Sequence, residues 1–215
     1  MTIIDQLRRN RWFARCTAPV QEALAAAGRT VALRAGQWVY GEGDECTGIA
    51  MVLDGMLRLE AAVGQRTVLV GIARTGDAIG QSQRRGGGPR IVTARASRTS
   101  LVVTVGDLAL ERIGGEHPAL WRAVSELVYG QLDASVHGLA QMLALPPRAR
   151  IAARLMAFAD SGVAPLTQAD LAELCGLSRK AVSAHLAALE RSGTIARAYG
   201  KVQLLDVAAL ARLVR

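Results

Sequence analysis

The stretch from Leu166 to Gly193, Leu166-Thr-Gln-Ala-Asp-Leu-Ala-Glu-Leu-Cys-Gly-Leu-Ser-Arg-Lys-Ala-Val-Ser-Ala-His-Leu-Ala-Ala-Leu-Glu-Arg-Ser-Gly, constrains the fold more than any other part of the chain. Thr167 and Asp170 have the spacing of a capping box, in which a hydroxyl and a carboxylate each satisfy the other's free backbone N–H at a helix start. Leu171 and Leu174 give that first helix one apolar face, and Ala172 is small where a second helix must cross. Gly176 provides the tight turn. Ser178 then caps a second helix, anchored at Val182, Leu186 and Leu189 by helical spacing. These signals in this order predict a helix-turn-helix, whose second helix lies in the major groove of DNA. An ordinary packed helix pair would need no such combination. The side chains predicted to face DNA are Ser178, Arg179, Lys180, Ser183, Ala184 and His185. Arg179 can donate two hydrogen bonds to guanine O6 and N7, and Lys180 can do so less rigidly. Beyond Gly193, Thr194-Ile-Ala-Arg-Ala-Tyr and Val202-Gln-Leu-Leu flank Gly200-Lys201 and read as a hairpin wing. Arg197 and Lys201 on that wing are expected at the phosphate backbone, and Thr167 completes the candidate DNA-facing set.

Charge agrees with this reading. The chain carries a formal net charge of +8, and residues 146–215 hold 10 Lys and Arg against 5 Asp and Glu. A basic excess concentrated in one segment suits a polyanionic partner. A hydrophobic fraction of 51% is ample for packed cores and argues against disorder. No apolar run approaches the ~18 residues of a membrane span, and the N-terminus lacks a signal-peptide core, so no membrane partner is expected. Cys16, Cys46 and Cys175 are odd in number and far apart. That is no disulfide framework, and a reducing cytoplasm is the expected setting. Cys46 lies in a polar turn and is the better redox candidate, whereas Cys175 reads as core.

Residues 1–28 read as short helices, with Val20-Gln-Glu-Ala-Leu-Ala-Ala-Ala closed by Gly28. From Thr30 to about Val105, short β-branched runs alternate with glycines. Asp54-Gly55 and Gly64-Gln65 between runs read as hairpin turns. Such spacing suggests an antiparallel barrel or jelly roll. His117-Pro118 then opens a long helix to about Leu143, stopped by Pro146-Pro147 and roughly 40 Å long at 1.5 Å per residue. Trp121, Val128, Leu132, Ser135, Leu139 and Met142 follow a near-heptad stripe, and Leu120, Val124 and Leu127 form a second. Two apolar stripes predict two partners, the helix's own barrel and a twin helix in a dimer seam. An ordinary buried helix is the alternative. Gly130 and Gly138 weigh against a strong helix, at ~1 kcal/mol each relative to Ala. Residues 148–160 form another amphipathic helix, closed by Ser161-Gly162.

The predicted class is thus α+β: an N-terminal antiparallel β-roll, jelly-roll-like, over residues 1–115, a long dimerisation helix over 116–145, and a C-terminal winged helix-turn-helix over 146–215. Gly36-Gln-Trp-Val-Tyr-Gly-Glu-Gly-Asp-Glu, Leu53-Asp-Gly-Met-Leu-Arg-Leu, Gly76-Asp-Ala-Ile-Gly and the helix-turn-helix stand in the order of one known family, and over nearly its full length the chain resembles the CRP/FNR superfamily of bacterial regulators. The resemblance implies a cyclic-nucleotide-binding-type β-roll, a dimerising helix and a winged DNA-binding domain, with double-stranded DNA, a second copy of the chain and RNA polymerase as partners.

The same resemblance places a candidate effector site at Gly80, Gln81, Arg90, Ile91, Val92 and Ser135. Cyclic-nucleotide binders of the family carry Gly-Glu and then Arg-Ser/Thr-Ala at a phosphate cassette. Here Gly80-Gln81 and Arg90-Ile91-Val92-Thr93 take those places. Arg90 can still neutralise a phosphate. Gln81 replaces a carboxylate, and Ile91 replaces a hydroxyl donor and would leave apolar bulk beside a charge. The resemblance therefore implies an effector other than cyclic AMP, or none. Ser82-Gln-Arg-Arg-Gly-Gly-Gly-Pro between the pairs is either a flexible surface loop or an anion-binding loop of arginines and backbone amides. Ser135 aligns with a hydroxyl that contacts the purine in cyclic AMP binders, though a serine in a seam also serves packing. At the place of Lys180 many relatives carry a glutamate that reads cytosine.

The iron–sulfur branch of the family needs four cysteines, which this chain lacks. His117, His137 and His185 are isolated, so neither metal nor other cofactor is expected. No nucleophile–base pair, paired carboxylates or Walker loop suggests an enzyme. The remaining alternatives to a regulator are a sensor or interaction module with an inert DNA-binding domain, and a genuinely cyclic-nucleotide-responsive regulator.

Overall fold

The computed structural model describes residues 2–45 and 48–215. The N-terminal part opens with helices α1 (Ile3–Leu7) and α2 (Ala18–Ala27), joined through a short 3-10 turn at Phe13–Arg15. Eight strands follow: β1 (Arg29–Leu33), β2 (Trp38–Tyr40), β3 (Ile49–Asp54), β4 (Met56–Val63), β5 (Arg66–Arg74), β6 (Ala78–Gly80), β7 (Thr93–Ala96) and β8 (Ser100–Val105). They form two antiparallel four-stranded sheets, in the orders β1-β8-β3-β6 and β2-β7-β4-β5. Leu33, Ala50, Val52 and Val102 from the first sheet share one buried core with Tyr40, Leu57, Ala73 and Ala94 from the second, as the expected β-roll requires.

The first sheet is covered on both faces, and its sequence shows it. Ala50 and Val52 of β3 point into the roll, while Ile49 and Met51 alternate outward. Outward here is not solvent. Leu7, Phe13, Leu24 and helix α3 (Asp107–Glu116) cover that face through Leu110 and Ile113, together with Leu120 and Val124 of α4 (Ala119–Ala144). Hence β3 reads as a continuous apolar run rather than as alternation.

The two turn expectations come out differently. Gly64, at φ +60°, closes a true hairpin with Val63 opposite Arg66. Asp54-Gly55 is not a hairpin. β3 pairs with β6 and β8, whereas β4 pairs with β5 and β7, so the chain changes sheet at Gly55. Gly55 turns this corner at φ +101°, directly against Ser100, where any Cβ would collide. The Ser100 hydroxyl bridges the corner by accepting the Met56 N–H at 3.1 Å.

The C-terminal part contains α5 (Pro147–Ala157), β9 (Val163–Ala164), α6 (Gln168–Cys175), α7 (Arg179–Arg191), the hairpin β10 (Ile195–Ala198) and β11 (Lys201–Leu204), and α8 (Val207–Val214). β9 adds to β11 to make a small three-stranded sheet in the order β10-β11-β9. By contact density the chain divides into the compact units Met1–Asp133 and Ala134–Arg215, with the border inside α4. Within the second unit, α5 holds the last turns of α4 through two arginines. Arg154 Nη2 donates to Gly138 O at 3.0 Å, and Arg150 Nε donates to Leu145 O at 2.8 Å. This gives Gly138 its reason: a Cβ there would press within 3.3 Å of the Arg154 guanidinium.

Candidate nucleic-acid interface

Helix α6 begins as its sequence predicts. Thr167 N–H donates to Asp170 Oδ2 at 3.0 Å, and Asp170 N–H donates back to Thr167 Oγ1 at 3.1 Å. Gly176 ends the helix at φ +62°, ψ +39°, and its N–H returns to the carbonyls of Ala172 and Glu173. Two residues later Ser178 Oγ accepts from Ala181 N–H at 3.2 Å and starts α7. Such a cap is worth about 1 kcal/mol against alanine. Val182, Leu186 and Leu189 are fully buried along one side of α7, as are Leu171 and Cys175 of α6. Each buried leucine contributes roughly 1.5–3 kcal/mol. Packing therefore determines which face of α7 turns outward.

That outward face carries Ser178, Arg179, Lys180 and Ala184 exposed, with Ser183 and His185 half-buried beside them. Arg179 and Lys180 occupy the first turn and make no ion pair among the described residues. Two cations at a helix N-terminus stand against the positive end of the helix dipole, an arrangement that gains from an incoming anion. The hydroxyls of Thr167 and Ser178, placed among the DNA-facing residues by sequence, are both engaged in capping.

The wing forms as expected, with Ala198 opposite Lys201 and Gly200 at φ +69° in the turn. Lys201 and Tyr199 are exposed at its tip. A cleft of about 300 Å³ opens between the wing, Leu186 and the start of α6, lined by Thr167, Gln168, Tyr199 and Lys201 among others. Arg197 is exposed but has a partner within the protein. It is held by Glu190 of α7, which accepts Arg197 N–H at 3.0 Å and Nε–H at 2.7 Å. Those hydrogen bonds keep the Glu190 carboxyl below its ordinary pKa.

In the β-roll, Arg90 is only 6% exposed. Its guanidinium donates to Gly48 O and stacks over the Tyr40 ring at 4.2 Å. Burial lowers the Arg90 pKa and raises that of Tyr40. Gly80 sits against this guanidinium: a Cβ on Gly80 would lie 3.1 Å from Arg90 Nη1. Gln81 Nε2 donates to Gly88 O at 2.8 Å, within the same loop. Ile91 corrects the sequence-based reasoning. At 77% exposed it points to solvent, so it puts no apolar bulk beside the charge, while the neighbouring Val92 packs on the roll core.

The segment between the two cassette pairs is docked onto α3. Ser82 Oγ donates to the buried Asp107 at 2.6 Å, and Arg84 N–H donates to the same carboxylate at 3.0 Å. A 3-10 turn at Gln83–Arg85 follows, and Arg85 pairs with Glu111 and lies over the Trp121 ring at 4.3 Å. These contacts make the segment a tethered turn.

Helix α4 shows where the sequence-based stripe drifts. Trp121 packs on the core of the N-terminal unit, covered by Arg85 and close above Gly114 of α3. Met142 is half-buried against the Gly176 turn, and Ser135 is exposed. The exposed apolar residues of this helix include Tyr129, Leu132, Val136, Leu139 and Leu143. Their steps of three and four residues make a regular heptad stripe, with Val128 at its edge. Leu132 and Leu139 were legible in sequence; Tyr129, Val136 and Leu143 were missed, although their spacing was there to be counted.

Cys175 is fully buried and its thiol is pushed up to about 11 by burial. Cys46, the redox candidate, lies outside the described residues. No helix among the described residues is long and apolar enough to cross a membrane.

Comparison with known proteins agrees with this geometry. The model of the Crp-like helix-turn-helix domain matches residues 149–213, and that of the cyclic nucleotide-binding domain matches residues 30–117. The HTH-type transcriptional regulator Cmr of Mycobacterium tuberculosis is 26% identical over 94% of this chain and 86% of its own length. The nitrogen fixation regulation protein FixK of Bradyrhizobium diazoefficiens is 29% identical over 84% of this chain and 80% of its own. The solved structure of FixK2 from Bradyrhizobium japonicum superposes with a TM-score of 0.80 at 20% identity, covering 87% of this chain and 98% of that one.

Proposed function

Because the chain belongs to the CRP/FNR superfamily of transcription regulators, we propose that it binds DNA sequence-specifically as a homodimer and responds to an effector other than cyclic AMP, or to none. The family is one of regulators and not of enzymes. The observation that carries the reading is the first turn of α7, where Arg179 and Lys180 stand exposed, with no ion pair among the described residues, at the open end of a helix locked by packing. An inert domain would have no use for two such cations at a helix N-terminus, the end where cations are least favoured.

The homodimer rests on the Tyr129–Leu143 stripe, which an identical helix would cover in a left-handed coiled coil. Residues 1–115 then act as the sensor, 116–145 as the seam and 146–215 as the reader. DNA, a second copy of the chain and RNA polymerase are the partners, and a reducing cytoplasm is the setting. The effector part rests on Gln81 and Arg90, whose polar groups are engaged within the protein. One observation favours the second reading, a true cyclic-nucleotide response: the buried Arg90 lies beside Gly80, where an entering phosphate would find a cation.

A gel shift on genomic fragments at stepped salt concentrations tests the main reading. Sequence-selective, salt-sensitive binding is expected. Its absence in the folded protein would leave the inert-domain alternative standing.

A further inference from the structure

We propose that Arg197 is not a DNA ligand but half of a clasp with Glu190 that fixes the wing against the recognition helix, leaving Tyr199 and Lys201 as the wing side chains that meet DNA. This rests on the DNA-binding reading above and assigns which wing residues serve it.

The clasp is made by two segments that chain connectivity alone leaves free to move apart. Glu190 lies in the last turn of α7, and Arg197 lies in β10, across the Ser192-Gly193 bend. The glutamate takes both the Arg197 backbone N–H and the guanidinium Nε–H, one on each carboxylate oxygen. A contact to backbone and side chain together fixes the strand as well as its charge. Glutamate is also an unexpected residue there, since a carboxylate at a helix C-terminus opposes the dipole. Beside a DNA-facing wing it would repel phosphate as well. Arg197 answers both problems at once, and in doing so loses its charge as a phosphate ligand. The Nε and Nη2 edge of the guanidinium is turned to Glu190, so presenting that edge to DNA would break the clasp.

The wing tip shows the complementary pattern. Tyr199 is fully exposed, packed against nothing, between Ala198 and Gly200. Gly200 at φ +69° turns the chain so that Tyr199 and Lys201 both border the cleft between wing and α6. A tyrosine offers a flat ring to a deoxyribose and a hydroxyl that donates to a phosphate oxygen. Lys201 adds a point charge. A neutral contact and a charged one leave different marks on salt dependence, because only the charged one releases counterions.

The experiment measures affinity for a selected DNA site against salt concentration, using the full-length protein. The double variant Glu190→Gln/Arg197→Gln removes the pair without changing net charge. Its salt slope is expected to equal that of the wild type, since Lys201 is kept, while its affinity falls because the wing is no longer held in place; unchanged affinity overturns the fixing role. A slope lower by about 0.9, one phosphate contact, overturns the clasp. Tyr199→Ala, at a fully exposed tip, leaves folding intact and is expected to weaken binding about tenfold with the slope unaltered. Unchanged affinity overturns the role of Tyr199. If the wild-type protein binds no DNA at any salt, the functional reading fails, and the inference with it; if it binds and only the variants disagree, the inference alone fails.

Discussion

The side-chain amide of Gln131 grips the backbone of Gly80 on both of its polar atoms: Nε2 donates to Gly80 O at 2.9 Å, and Oε1 accepts Gly80 N–H at 3.4 Å. Gly80 ends β6 and is buried, and Gln131 belongs to α4. The cassette edge is thereby tied directly to the long helix. Arg85, bound to Glu111 and stacked on Trp121, makes a second tie between the same regions.

Gln131→Leu should break the first tie. It leaves a buried N–H and carbonyl without their partner, at about 1–3 kcal/mol. Thermal unfolding should show a correspondingly lower Tm for the N-terminal unit. An unaltered Tm would mean that water replaces the amide at no cost.

The exposed stripe on α4 leads to the second expectation. Leu139→Arg places a charge within the exposed Tyr129–Leu143 stripe, the proposed seam, and should give monomers in sedimentation where the wild type is expected to sediment as a dimer. DNA affinity should fall with it, because paired half-sites need two linked recognition helices. Trp121→Ala serves as the contrast. It should destabilise the N-terminal unit, by less than the ~3–5 kcal/mol of a fully buried aromatic because Trp121 is only partly buried, without altering the oligomeric state of the folded fraction. Monomers from Trp121→Ala without loss of stability would return Trp121 to the seam.

Much of this architecture was legible because its signals are local. The capping box at Thr167, the glycine at 176 and the cap at Ser178 each act within about four residues, so the helix-turn-helix could be read without knowing the rest of the fold. What was misread depends on distant partners. Asp54-Gly55 looks the same whether the next strand joins its own sheet or another, and only the pairing of β3 with β8 decides. Ile91 lies in an irregular segment, where a shift of one residue exchanges inside and outside. The α4 stripe began about two turns too early because nothing local reveals that Gly114 and Arg85 cover Trp121. The Glu190 partner of Arg197 was not visible in sequence because it sits on another element.

Thiol chemistry gives a third expectation. Cys16 and Cys175 are buried, and burial pushes both thiols up to about 11. At pH 8 both should be protonated and shielded, and so unreactive towards a disulfide reagent. The Cys46→Ser variant should therefore show no reactive thiol when folded and both on unfolding in denaturant. A fast-reacting thiol in the folded variant would contradict the burial of one of them.

The cyclic AMP expectation now rests on different grounds from those the sequence suggested. Ile91 no longer obstructs, since it faces solvent. What remains is occupancy: Gln81 is bonded to Gly88, and Arg90 to Gly48 and Tyr40. A phosphate would have to replace these contacts, without the glutamate that would hold its ribose. Calorimetry should detect no binding of cyclic AMP at micromolar concentrations. Micromolar affinity would mean that Arg90 exchanges its internal partners for the ligand, and would move the second functional reading to first place.

Readout by α7 gives the last expectation. Arg179 is exposed at the first position of α7, one and two turns ahead of the buried Val182 and Leu186, and so stands at the open N-terminal end of the helix. Arg179→Ala should cost about 1–3 kcal/mol at the selected site and relax preference at one base pair of each half-site. Lys201→Ala should weaken all sequences alike and lower the salt slope by about one. Lys180 makes the more particular claim. Relatives with glutamate at this place accept a hydrogen bond from cytosine, and an ammonium, having only donors, cannot. Lys180 should therefore favour guanine or a phosphate, and the half-site should differ from that of glutamate-bearing relatives. Selection from a random DNA library decides between them. Recovery of the same half-site from wild type and Arg179→Ala would show that another face of α7 lies in the groove.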